Sequence, residues 1–200
     1  YRHHMARLRR RCESLNKLDL KSLRYTCENG TDLLLELPEG HIWLGGEESS
    51  KDGTIFNANI PTEEVFSAPQ YNGVNGVVYS TKPLIYHGNT ISDFSFTFKE
   101  GKIVEYTAKE GYEVLKELVE TDEGSHYLGE VALVDHFSPI SQSNQIFYET
   151  LFDENASCHL AIGASYPTCL KNSDGLSEEE LKERGLNHSL THVDFMIGHE

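Results

Sequence analysis

The run THVDFMIG near the end of the chain places His192 and Asp194 two residues apart. Read as a strand, its side chains alternate faces with period two. His192 and Asp194 then share one face, and Val193, Phe195 and Ile197 share the other. An apolar face on the core with a His/Asp face turned away from it is how a sheet presents two metal ligands. A plain His–Asp surface pair is the alternative. Phe152-Asp153-Glu154-Asn155, followed by His159, forms a second cluster. Five residues are roughly 140° around a helix, so Glu154 and His159 cannot share one helical face. Glu154 at a turn with His159 one turn inside a helix satisfies both, while Asp153 or Asn155 as an N-cap is the structural alternative. Glu63-Glu64, after Pro61, suits the acid-rich first turn of a helix. Glu130 stands inside LGEVALV, a run that reads as a buried strand, and there it requires a partner, a cation or a proton. Tyr166 precedes Pro167 and reads equally as a core or rim tyrosine.

Other chemistries lack their entry points. The chain contains no G-x-G-x-x-G, no G-x-x-x-x-G-K-[ST], no H-E-x-x-H and no G-x-S-x-G. Cys158 and His159 are neighbours and would diverge by about 100° on a helix, which argues against a Cys–His nucleophile pair. The four cysteines, Cys12, Cys27, Cys158 and Cys169, show neither zinc-finger pairing nor a disulfide framework.

Several elements must position these residues. Met5, Leu8, Cys12 and Leu15 recur at helical spacing in a basic opening helix. LRYTCE and DLLLELP flank Asn29-Gly30 as one hairpin, and HIWLGG reads as a further strand. DFSFTF and KIVEYTA flank Glu100-Gly101 as a second hairpin, with Phe94, Phe96 and Phe98 on one face. GGEESSKDG is a loop by composition, and GVNGVVYST is a strand. GYEVLKELVE is a helix, NQIFYETLFDENASCHLAIGASYP is helical in parts, and LSEEELKERG is a helix with N-cap Ser177 and a stop at Gly185. Interleaved strands and helices with frequent hairpins predict an α+β fold, a mixed sheet with flanking helices.

Composition sets outer limits. The 200 residues are 38% apolar and 24% charged, an ordinary globular balance with ample length for a core. No apolar run approaches the ~18 residues of a membrane span. The net charge of −15 is unevenly spread, with +6 over residues 1–24 and −21 over the remainder. So acidic a body disfavours nucleic acid as a partner, since phosphate contacts need cations. The acids are either solvated surface or, for a few, gathered around metal ions. The absence of a secretory leader reads as cytoplasmic, and Tyr1 reads as an internal start.

NIPTEEVFSAP, STKPL, DEGSHYLGEVALVDHFSPIS, LFDENASCHLAIGASYP and HVDFMIG, in that order, resemble the thermophilic-type metallo-aminopeptidases, the AmpS/PepS/AmpT group. The resemblance runs from GTDLLLELP to the end. It implies that residues 1–200 are the catalytic portion of a larger two-domain peptidase, without the family's N-terminal domain and short C-terminal tail. It implies a co-catalytic pair of divalent ions, Zn, Co, Mn or Mg, on Glu64, Glu130, Glu154, His159, His192 and Asp194. Four carboxylates would balance the charge of two such ions. It further implies a catalytic Tyr166, a homodimer, and removal of N-terminal residues from peptides with a free N-terminus. Glu63 or Glu64 would take the proton of the attacking water, and the Tyr166 hydroxyl would stabilise the oxyanion. A different dinuclear hydrolase such as a phosphoesterase would use similar ligands, but residues 117–170 contain no Lys or Arg to meet a phosphate.

Overall fold

The computed structural model describes residues 1–198. The opening segment is a helix, α1 (Arg2–Leu18), that buries Met5, Leu8 and Cys12, with Leu15 packed partly against the same core. The first expected hairpin is β1 (Ser22–Thr26) and β2 (Asp32–Glu36). Then come β3 (Glu64–Ser67), β4 (Val74–Tyr79), and the second expected hairpin, β5 (Ser95–Lys99) with β6 (Lys102–Thr107). Helix α2 (Tyr112–Val119) precedes β7 (Leu128–Val134) and β8 (His159–Gly163). Helix α3 (Glu178–Glu183) starts from a capping box in which Ser177 and Glu180 bond each other's backbone N–H. Strand β9 (His192–Met196) follows.

The strands form two main sheets, ordered β1-β2-β4-β5-β6 and β9-β8-β7-β3. Every ladder in both is antiparallel, so the mixture lies in helix and strand content, not in strand direction. Phe94 and Phe96 from the first sheet meet Phe195 from the second, with ring centroids 5.9 and 5.1 Å apart. One core joins them, with Leu33, Leu35 and Val78 on one side and Val131, Leu160 and Ile162 on the other.

Three local expectations change. Residues 61–64 do not open a helix. Glu64 instead begins β3, because EVFS pairs along Val131–Val134 and exchanges its backbone bonds there. His159 is not inside a helix either. Only Thr150–Asp153 and a 3₁₀ turn, Glu154–Ala156, are helical, and His159 opens an inner strand buried on both faces. Full burial erases the alternation that marks a strand in sequence. HIWLGG makes only isolated bridges, at His41 and Leu44, whereas the composition-defined loop after it is the turn of a two-residue ladder, Glu48–Ser49 with Ile55–Phe56.

The basic face of α1 is partly spent on the acidic body. Arg7 pairs with Glu63 at 3.3 Å, Arg9 with Glu47 at 2.6 Å, and Arg11 with Asp135. No described helix is long and apolar enough to cross a membrane.

Candidate metal centre

Register places the acids and imidazoles on one face of the second sheet. Glu130, Ala161 and Asp194 lie directly opposite one another across β7, β8 and β9. Phe66, Ala132, His159 and Met196 form the neighbouring row, and Glu64 and His192 lie at the ends of their strands. Val65, Val131, Leu160, Ile162 and Phe195 alternate onto the other face and supply the core. Small residues, Ala132, Ala161 and Gly163, floor the site face and let longer side chains converge over them. Gly163 has φ of 104°, and a Cβ there would stand 2.1 Å from the Thr191 carbonyl oxygen, so glycine is required opposite His192.

The side chains meet around Glu130. His159 Nε2 is 2.9 Å from Glu64 Oε2 and 3.6 Å from Glu130 Oε1. His192 Nε2 is 3.6 Å from Glu130 Oε2 and 3.6 Å from Asp194 Oδ1. Two groups thus share one carboxylate: Glu64, Glu130 and His159, and Glu130, His192 and Asp194. Each imidazole is oriented from behind. His159 Nδ1 donates to the Ser157 carbonyl at 3.1 Å, and His192 Nδ1 to the Ala164 carbonyl at 2.7 Å. A carbonyl only accepts, so both Nδ1 atoms carry the proton and both Nε2 atoms face the acids.

The unusual electrostatics follow from burial and crowding. Burial, joined by the charges of Asp194 and Glu64 and opposed by His159, pushes the Glu130 carboxyl up to about 7. Glu154, buried beside Asp194 and Glu64, is pushed up to about 9. Burial alone would lower both histidines. The acids outweigh it, holding His159 well above its ordinary value and His192 at about 9. Asp194 goes the other way: burial opposes its ionisation, but His192 and His159 hold it below the ordinary carboxylate range. Burial and the four surrounding acids lift the Tyr166 hydroxyl to about 12, so it is a donor at neutral pH.

The remaining expected residues divide. Glu154 is 7% exposed and lies outside both three-residue groups, against Asp194. Glu63 is turned from the cluster to α1, where its carboxylate meets Arg7 at 3.3 Å and His4 at 3.8 Å. Tyr166 is half-exposed, its ring 4.9 Å from that of His192. Sequence reasoning did not find Asn187, whose Nδ2 donates to the Gly163 carbonyl at 2.7 Å. Its backbone carbonyl accepts from Ser165 at 2.9 Å, so it holds the loop that carries Tyr166 and the Ala164 carbonyl. A polar residue in SLTHV's approach, 187-NHS, carries no periodic signal of its own.

A divalent cation suits this set. Glu64 Oε2, His159 Nε2 and Asp194 Oδ1 are buried without a hydrogen-bond partner, and the 2.9 Å approach of the first two lacks hydrogen-bond geometry. Buried polar atoms need a partner. Carboxylate oxygens with neutral imidazole nitrogens are donors for Zn²⁺, Co²⁺, Mn²⁺ or Mg²⁺.

Known proteins share this arrangement of chain. Aminopeptidase 2 of Geobacillus stearothermophilus is 55% identical over 198 residues, 99% of this chain and 48% of the relative. Aminopeptidase AmpS of Bacillus subtilis (strain 168) is 56% identical over 195 residues, 98% of this chain and 47% of the relative. The solved structure of wild-type AmpT from Thermus thermophilus superposes with a TM-score of 0.93 at 42% identity, covering 100% of this chain and 49% of that one. The chain therefore spans about half the length of the curated relatives it matches. The profile described as thermophilic metalloprotease (M29) matches residues 1–200, and the chain belongs to that family.

Proposed function

We propose that this chain is the metal-binding portion of an aminopeptidase that hydrolyses the first peptide bond of peptides with a free N-terminus. The observation that carries the reading is Glu130, whose two carboxylate oxygens face two different ligand groups. On this reading Glu64, Glu130, Glu154, His159, His192 and Asp194 hold two divalent ions, Zn, Co, Mn or Mg. Such ions, when bound, lower the pKa of a water and polarise a carbonyl. Glu64 takes the proton of the attacking water and returns it to the leaving amine. Glu64 is preferred to Glu63 because the latter's carboxylate is engaged by Arg7 and His4. Tyr166, protonated at neutral pH, donates its hydroxyl proton in a hydrogen bond to the developing oxyanion. A cytoplasmic homodimer belongs to the same proposal and is supported by the family resemblance.

The test uses the full-length polypeptide. Release of the chromophore from an aminoacyl anilide should stop on chelation and return with a divalent metal, while an N-blocked anilide and a phosphate ester stay intact. Metal-dependent turnover of the phosphate ester in preference to the anilide overturns the reading. Within it, Tyr166→Phe should lower kcat by about 10²–10³-fold with KM little changed. An unchanged kcat removes Tyr166 from the oxyanion role.

A further inference from the structure

The segment Asp153-Glu154-Asn155 is polar yet buried, with exposures of 3%, 7% and 1%. Its three side chains go in three directions. Asp153 accepts from the backbone of Phe147 at 2.8 Å and Glu149 at 3.2 Å and closes the preceding loop. Glu154 goes to the acid cluster. Asn155 crosses to a strand far away in sequence. Its Oδ1 accepts from the Glu63 backbone N–H at 2.7 Å, its Nδ2 donates to the Leu151 carbonyl at 2.9 Å, and a longer contact reaches the Pro61 carbonyl at 3.5 Å.

The bonds lie where the sheet provides none. Residues 154–156 are a 3₁₀ turn outside the ladders, and pairing of β3 with β7 begins only at Glu64. Glu63 and Asn155 are 92 residues apart and carry Glu64 and Glu154 as their immediate neighbours. Both neighbours bear carboxylates in one pocket with Glu130 and Asp194, and like charges crowded together repel. A tie between the two backbones opposes that separation.

Resting on the metallopeptidase reading above, we infer that Asn155 is a positioning residue: its side-chain amide sets the spacing between Glu154 and Glu64, so that the ligand set is assembled before an ion arrives. Groups behind the ligands commonly change metal affinity by about 10–100-fold when lost. A merely structural amide would instead lower stability equally with and without metal.

The experiment compares thermal melts of the full-length polypeptide, metal-free and with Zn²⁺, for wild type, Asn155→Ala and Ser125→Ala. Ser125 is a comparably buried polar residue bonded to Val119 and Asp122. The gain in Tm on adding metal reads affinity, because an ion binding the native state stabilises it in proportion to the logarithm of its occupancy term. Asn155→Ala should lower that gain and raise the Zn²⁺ dissociation constant at least tenfold, and should change the visible spectrum of the Co²⁺ form. Ser125→Ala should lower both melts and leave the gain intact. If Asn155→Ala does not fold, Asn155→Ser serves, since its hydroxyl is too short to span Glu63 and Leu151 together. An undiminished gain and an unaltered Co²⁺ spectrum in the folded Asn155 variant overturn the inference. Absence of any gain in the wild type overturns the metal reading instead.

Discussion

Glu130→Gln in the full-length polypeptide is expected to lose at least about 10³-fold in kcat/KM, on the order of 4 kcal/mol of transition-state stabilisation. The amide keeps the shape of the carboxylate but not its charge, and it offers one oxygen where Glu130 turns one to each ligand group. Metal stoichiometry should fall in the same variant. Metal-free stability should move the opposite way. Burial makes the ionised form of Glu130 costly, so a neutral isostere should melt higher than wild type at pH 8 once metal is removed. Loss of function with a gain in apo stability separates a functional acid from a structural one. Wild-type turnover and metal content in this variant would mean that Glu130 is only a buried acid of the fold.

The second large effect is a metal-free stability that falls with rising pH while the stabilisation by added metal grows. Without metal, His159 and His192 have folded pKa values above their unfolded ones, the latter at about 9. Their contribution to stability is complete below about 6.5 and is lost as pH rises through the folded values. Glu130 and Glu154 are also raised, to about 7 and about 9. The folded state therefore holds their protons more tightly, and that contribution fades as pH climbs past the unfolded carboxylate value. All four act in one direction, so the metal-free melting temperature should fall between pH 6 and pH 9. Asp194, held low, acts only in acid, outside this window. Divalent ions bind the deprotonated ligands, so the gain in Tm on adding metal should widen over the same interval. The measurement is a set of melts with and without a strong chelator at several pH values. A metal-free Tm that is flat from pH 6 to pH 9, with metal shown to be gone, would falsify the clustering of these groups.

Legibility in the sequence followed the strength of the local pattern. The opening helix, both hairpins and α3 each have a period, a turn pair or a cap within a few residues, and those signals survive into the fold. His192 and Asp194 are legible for the same reason, because alternation with Val193 and Phe195 gives strand and face together. His159 is not, since HLAIG is buried on both sides and has no alternation to read. Glu63-Glu64 misled because two acids after a proline satisfy a helical first turn, and only pairing with β7 makes Glu64 the start of a strand. Asp153 or Asn155 as an N-cap was the structural alternative, yet the Asn155 Oδ1 accepts from a backbone 92 residues away.

By itself the sequence determined which residues were unusual: a glutamate inside an apolar strand, a His-x-Asp on a strand face, and acids far in excess of bases. These are properties of residue type and near neighbours, and they pointed to a carboxylate–imidazole chemistry, while the resemblance of several longer segments pointed to the family. Only the tertiary structure decided which of two adjacent glutamates faces the cluster. Ion pairs with Arg7 and His4 on α1 turned Glu63 away, while strand pairing from Glu64 onward left Glu64 beside His159. It also decided that Glu130 stands between two groups, since the register of three antiparallel strands aligns it with Ala161 and Asp194. Register is set by long-range backbone pairing and core packing, and no local stretch of the chain contains it.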